Sequence, residues 1–162
     1  MKILLVSDTH TGQKELKNVT LPRHKNEVQM AIHLGDFARD LIDLQPSFPN
    51  IKMVGVGGAG EFFGKQEDIL EIGDGEIKRR ILIMHGHTKA VKTSLNRLIH
   101  YAREKEVHAC FFGHTHKPLI LEEHGIFFMN PGSLTFALNG QGSYGIVTIS
   151  PDGKFHGEVL ES

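Results

Sequence analysis

The sequence predicts a mixed αβ fold of two packed β-sheets with helices on the outside, and three observations carry that expectation. Short apolar runs stop abruptly in polar or glycine-containing segments, as buried strands do when they run into loops. Strand and helix patterns alternate through the first half. The second half is rich in strand pairs about tight turns, and that mixture suits sheet layers covered by helices. The chain has 162 residues, which fits one domain over 1–162 and suffices for a core without staples.

Residues 3–6 read as a buried strand that delivers Ser7-Asp8-Thr9-His10. Residues 25–31 carry a short helical pattern. Residues 32–34 are a short strand stopped by Gly35-Asp36, and residues 37–44 a helix ended by Pro46 and Pro49. A third strand, 51–56, runs into the flexible loop Gly57-Gly58-Ala59-Gly60. Residues 69–72 and 77–84 flank Gly73-Asp74-Gly75 as a hairpin, and its second strand delivers His85-Gly86-His87. Residues 91–105 have helical spacing, with Val91, Leu95, Leu98, Ile99 and Ala102 on one face. The strand 107–112 delivers Gly113-His114-Thr115-His116. Two more hairpins follow, 119–122 with 126–129 about His124-Gly125, and 143–149 with 155–160 about Pro151-Asp152-Gly153.

Composition narrows the function. A net charge of -1 offers no basic surplus for nucleic acid or anionic lipid. No stretch approaches the roughly 20 apolar residues of a membrane span, and the few apolar residues after Lys2 fall short of a secretory leader. A cytoplasmic protein is expected. The single cysteine, Cys110, excludes an internal disulfide and reads as a buried strand residue in an apolar run. The 11 histidines stand out, because imidazole is both a common metal ligand and a neutral-pH acid or base. His24, His100, His124 and His156 are read as surface residues, and His33 as a packing residue.

The remaining acids and imidazoles concentrate where apolar strands stop: Asp8 and His10, Asp36, His85, and His114 with His116. Ligands of open αβ sheets bind at the carboxyl ends of strands, so these strand ends imply one converging site. Asp oxygens and His nitrogens without thiolate suit Mn, Fe, Zn or Ni. Two metals side by side need a bridging carboxylate, and Asp36 stands alone on its loop. Gly35 and Gly113 leave room for close backbone approach. Arg39 suits a phosphate contact, and Asn130 is placed to orient a ligand.

Asp8-Thr9-His10, Gly35-Asp36, His85-Gly86-His87, Gly113-His114-Thr115-His116 and Asn130-Pro131-Gly132-Ser133 together resemble the calcineurin-like metallophosphoesterases, in particular the small YfcE-type phosphodiesterases. The resemblance implies a four-layer αββα sandwich. It implies two divalent ions, Mn foremost, with Asp8, His10 and His116 on the first, His85 and His114 on the second, and Asp36 between them. It implies hydrolysis of a small phosphate ester by a metal-bridging hydroxide.

One motif departs from the family. Gly57-Gly58-Ala59-Gly60 stands where the family has Gly-Asn-His/Cys-Asp/Glu, so an oxygen ligand of the second metal and a proton donor are replaced. A missing general acid forfeits about 10²–10⁴ in rate, most for poor leaving groups. His87 and Glu61 are the candidate substitutes. Two competing readings follow: a catalytically weak or inactive metal-binding scaffold that holds a protein partner, and a single-metal hydrolase or storage site built from Asp8, His10, Asp36 and His116. The substrate, and whether the chain forms a homo-oligomer, stay open at this level.

Overall fold

The structure, a computed structural model, describes residues 1–162 except 11, 62–63, 74 and 136–140, together with all side chains of those residues but that of Glu76. Two five-stranded sheets stack face to face. The first has the order β10-β9-β1-β2-β3 and the second β4-β5-β6-β8-β7. The strands are β1 Lys2–Val6, β2 Met30–His33, β3 Lys52–Gly55, β4 Glu67–Ile72, β5 Arg79–Met84, β6 Ala109–Phe112, β7 Leu119–Glu123, β8 Ile126–Asn130, β9 Ser143–Ile149 and β10 Phe155–Glu161. β1, β2 and β3 run parallel, as do β5, β6 and β8. The hairpin partners β4, β7, β9 and β10 run antiparallel to their neighbours.

Three apolar layers hold the stack. Ile3, Leu5 and Ile32 from the first sheet meet Ile81, Ile83, Phe111 and Met129 from the second. Alternate residues Leu4, Val6 and Ala31 face outward onto Leu16, Leu21 and Leu41. Leu82, Met84, Cys110 and Phe112 face outward onto Leu98 and Ala102 of the long helix. The central strands are apolar on both faces because both faces are covered. Three buried interfaces between four layers are the αββα sandwich the family resemblance implies.

The helices are α1 Gln13–Glu15, α2 Leu21–His24, α3 Arg39–Ile42 and α4 Asn96–Glu104, with a π-helical segment Leu16–Thr20 joining the first two. The helix expected over 25–31 is not formed. Met30 instead opens β2, where it pairs with Ile3 on one side and Lys52 on the other, and central sheet pairing overrides a weak local preference. The helical turns lie upstream, where the sequence showed no periodic pattern. The helix expected over 91–105 starts late, at Asn96, and a separate tight turn over His87–Lys89, flanked by Gly86 and Ala90 with left-handed φ of 105° and 55°, precedes it. The hairpins about His124-Gly125 and Pro151-Asp152-Gly153 form as expected. β4 and β5 also pair as a hairpin, while Asp74 of its turn lies outside the described residues. Cys110 is buried and free, and burial pushes its thiol pKa far up.

His24 corrects the surface reading. It is buried, its Nε2 lies 2.9 Å from the Tyr144 hydroxyl and its Nδ1 2.5 Å from Glu27. The Arg23 guanidinium donates to the same hydroxyl at 3.0 Å. Tyr144 is a fully buried phenol, and a buried hydroxyl requires polar partners.

Candidate metal centre

Every candidate ligand sits just past the carboxyl end of a parallel strand. Asp8 and His10 follow β1, Asp36 follows β2, His85 follows β5, and His114 and His116 follow β6. The parallel strands of both sheets end at the same edge of the sandwich, so six side chains separated in sequence converge. Two overlapping groups can each hold an ion: Asp8, His10 and His116, and Asp8, Asp36 and His85, with ligand atoms within 4.8 Å of one another in each group.

Asp8 is common to both groups. Its Oδ2 accepts from Ser7 Oγ and, at 3.1 Å, from the His114 amide. Its Oδ1 is buried and has no hydrogen-bond donor among the described residues. The 3.0 Å approach of His116 Nε2 to that oxygen lacks hydrogen-bond geometry, and His85 Nε2 lies 3.9 Å away. A buried carboxylate oxygen without a donor is costly unless a cation meets it, so this atom fits a metal ligand. Asp36 reaches both sides of the centre. Its Oδ2 lies 3.5 Å from His85 Nε2 and 4.0 Å from His10 Nε2. The bridging role thus has two geometric candidates, Asp8 and Asp36, where the sequence pointed to one.

His85 is locked by its neighbours. Its Nδ1 lies 2.8 Å from the Leu34 carbonyl, so the Nδ1–H donates there and Nε2 carries the lone pair toward the centre. His114 Nδ1 stands 3.0 Å from that Nε2. Burial opposes a charge on His85, but the carboxylates of Asp36 and Asp8 outweigh it and raise its pKa. Burial, the adjacent His85 and then Lys92 push His114 down to about 4. Asp36 resists burial through His85, His10 and the Ala59 amide, and falls to about 2.

Backbone strain marks five of the six candidate ligands. Asp8, His10, Asp36, His114 and His116 hold φ of 53°, 40°, 56°, 68° and 58°. Each left-handed non-glycine residue costs roughly 1–2 kcal/mol, and such outliers gather at functional sites. Two glycines are required by contact. A Cβ on Gly113 would stand 1.9 Å from Ser7 Oγ, and one on Gly35, itself at φ 99°, would stand 2.7 Å from His85 Nδ1.

Asn130 ties the second pair of ligands in place. Its amide donates to the Gly113 carbonyl at 2.8 Å and to Thr115 Oγ1 at 3.1 Å, and its Oδ1 accepts from the Gly132 amide. Ser133 Oγ donates to the Asp8 carbonyl, and Thr135 Oγ1 to the Thr9 carbonyl. The segment after β8 therefore clamps the loops of β1 and β6 together. Sequence reasoning passed over Thr9, Ser133 and Thr135. Hydroxyls in loops carry no periodic signal, though Ser133 closes the Asn-Pro-Gly-Ser run.

His33 proves a positioning group. It is wholly buried, its Nδ1 accepts from the Gly35 amide at 3.2 Å, and its Nε2–H donates to Thr9 Oγ1 at 3.0 Å. Thr9 Oγ1 donates in turn to Asp40 Oδ2 at 2.8 Å. This chain joins the turns that carry Asp8, His10 and Asp36.

A family model for the calcineurin-like phosphoesterase superfamily domain matches residues 1–152. The chain belongs to the calcineurin-like phosphoesterase superfamily. It is 31% identical over 154 residues, 94% of this chain and 86% of the relative, to a probable metallophosphoesterase, YsnB, of Bacillus subtilis. Two solved structures share its fold across the whole chain. Wild-type Vps29 of Entamoeba histolytica in complex with Zn²⁺ superposes with a TM-score of 0.72 at 23% identity, covering 99% of each chain. An archaeal phosphodiesterase superposes with 0.71 at 22%, covering 99% of this chain and 100% of that one.

The loop that departs from the superfamily pattern is packed shut. A Cβ on Gly58 would fall 2.0 Å from Asp36 Oδ1 and 2.1 Å from the Asp36 amide. Asparagine has no room there. Glu61 does not reach toward the ligands as a substitute. Its carboxylate accepts from the Phe37 amide at 3.1 Å and the Gly58 amide at 2.6 Å, stapling this loop to the Asp36 turn. The flexible loop expected from four small residues is thus held by a carboxylate. His87 does reach the centre. Its ring lies 5.5 Å from that of His85 and 6.1 Å from that of His114, and its Nδ1 is buried without a hydrogen-bond partner among the described residues. Arg39 is exposed at the start of α3 and lines a groove of about 590 Å³ with Ile42, Gly57 and Glu61; no candidate ligand lines that groove.

Proposed function

We propose that this chain is a metal-dependent phosphodiesterase, a single domain over 1–162 with a dinuclear centre at the shared strand ends. The observation that carries the reading is the pair of overlapping ligand groups joined at Asp8, whose buried Oδ1 has no donor. When bound, two divalent ions supply a nucleophile from water at neutral pH and offset charge on the phosphoryl oxygens. Asp8, His10 and His116 would hold one ion and His85 and His114 the other, with Asp36 shared between them and Asp8 a second candidate for that role. Oxygen and imidazole donors without thiolate suit Mn, with Ni, Fe and Zn as alternatives. The Zn²⁺ in the Entamoeba relative supports metal binding by this fold.

The chain's own residues supply positioning. The clamp of Asn130 and Ser133 holds the facing loops at a set separation, which favours in-line approach. Burial and then the charge of His85 lower the His87 pKa, so His87 enters the reaction neutral. Its N–H is the donor available to a phosphoryl or leaving-group oxygen. With Ala59 where a proton donor is expected, esters with good leaving groups are hydrolysed best. Arg39 on this reading meets a distal part of the substrate, away from the reacting phosphorus. A small soluble substrate in the cytoplasm completes it.

A second reading has its own observation. Gly58 pressed against Asp36 closes the place of the missing ligand, and Vps29 proteins share the fold. A scaffold would retain metal and bind a protein. The separating experiment strips the protein with chelator, restores Mn²⁺, and assays bis(p-nitrophenyl) phosphate against p-nitrophenyl phosphate beside Asp36→Asn. Metal-dependent diester turnover that the variant lacks supports the enzyme. Metal bound by calorimetry without turnover of either ester supports the scaffold.

A further inference from the structure

Beside the centre lies a cleft that the phosphoester reading leaves unused. Its volume is about 620 Å³, and Val91, Leu95, Phe112, Pro118 and Leu119 form its apolar walls. His116 is a wall of this cleft as well as a member of the first ligand group. The cleft and the centre therefore share a side chain, and a molecule whose phosphorus sits at the ligands has its nearest apolar volume there. Lys92 and Lys117 also line it. Cavities of this size suit small organic ligands, and a few polar groups in an apolar wall set their orientation.

We propose that this cleft is the substituent subsite of the phosphoester centre and takes an aromatic ring carried on one ester oxygen of a phosphodiester. The proposal rests on the phosphodiesterase reading and names its substrate class. Flat aromatic groups bury large area for few rotatable bonds, which suits a cleft between the 91–95 turn and the start of β7. The two exposed lysines that line it offer positive charge to an anionic diester. Ala59 in place of a proton donor agrees with this class, since an aryl oxygen leaves with little protonation. A monoester with a small alkyl group leaves the walls unfilled.

Binding tests the cleft apart from turnover. Calorimetry on Mn²⁺-loaded protein compares diphenyl phosphate with dimethyl phosphate, two diesters of equal charge. Burial of a ring predicts about tenfold tighter binding of the diphenyl ester. Pro118→Asp, at an exposed position, and Leu95→Trp, which fills the cleft, should both bring the ratio near one while metal affinity and melting temperature hold. Equal binding in the wild-type protein, no measurable binding of either ester, or a preference that survives in both folded variants overturns the subsite. The two readings separate cleanly. A preference lost in the variants without turnover of bis(p-nitrophenyl) phosphate upholds the subsite and sinks the enzyme. Turnover with no preference does the reverse.

Discussion

The loop that carries His114 and His116 is fastened by side chains, with Asn130 bonded to Gly113 and Thr115 and the Asp8 carboxylate accepting from the His114 amide. The turn that carries Asp36 is fastened mainly by the facing glycine loop and one carboxylate. The Gly58 backbone lies against it, the Ala59 amide helps lower its carboxyl pKa, and Glu61 staples the two turns from outside. The first arrangement keeps the superfamily's residues. The second reaches a fixed Asp36 without them. A candidate ligand can thus be held by closely packed glycine backbone as well as by side chains, and that packing removes the volume a further ligand would need.

The largest expected effect comes from the residue both halves surround. On the phosphodiesterase reading, Asp36→Asn should lower diester kcat/KM by at least roughly 10³-fold, because several kcal/mol of charge stabilisation would depend on the ions it would help hold. Metal at about 100 times its Kd should stabilise the wild-type protein by about 2.7 kcal/mol. A variant whose melting temperature responds to Mn²⁺ as strongly as wild type would count against Asp36 as a ligand.

Gly58→Asn attacks the backbone-built half. It restores the superfamily residue, yet the Cβ alone meets Asp36. Overpacking of this kind costs about 1–3 kcal/mol, read as a lower melting temperature without gain in turnover. A gain in second-site metal affinity would show that the loop yields readily. Asn130→Ala attacks the side-chain-built half. Loss of a residue that orients ligands typically costs about 10–100-fold in metal affinity, and calorimetry should find the loss while the fold persists. If Asn130→Ala leaves affinity untouched, the clamp is redundant with Ser133.

The smallest effect concerns the linkage between the halves of the first sheet. Burial, followed by the charge of His85, pushes His33 down to about 3. Above the ordinary value of 6.5 the folded and unfolded chains both carry it neutral. As pH falls below 6.5 the unfolded chain binds a proton that the folded chain refuses until about pH 3, so stability drops across that window. Melting temperatures of chelator-treated protein from pH 7 to 4 should therefore fall less steeply in His33→Gln, from a lower starting point. Parallel curves would remove His33 from the acid response.

Much of this was legible in the residues. Apolar runs stopping at Asp8, Asp36, His85 and His114 announced both the strands and the site, because a strand covered on both faces has no place for a charge until it ends. The hairpins were legible because glycine turns and alternation are local. The helical turns before His24, the strand start at Met30 and the surface reading of His24 were misjudged for one reason. Each is decided by a distant partner: Leu16 and Leu21 by the outer face of β1, Met30 by its two flanking strands, and His24 by Tyr144.

The sequence by itself pointed to the class of fold and to six candidate ligands, since these follow from residue type and spacing along single strands, and the resemblance of its motifs pointed to the superfamily. Tertiary structure alone decided that Asp8 belongs to both ligand groups, that Gly58 leaves no room beside Asp36, that Glu61 is a staple, and that an apolar cleft opens at His116. Those outcomes depend on which loops meet across the edge of two stacked sheets, and distances between separate loops are written in packing rather than in any one stretch of chain.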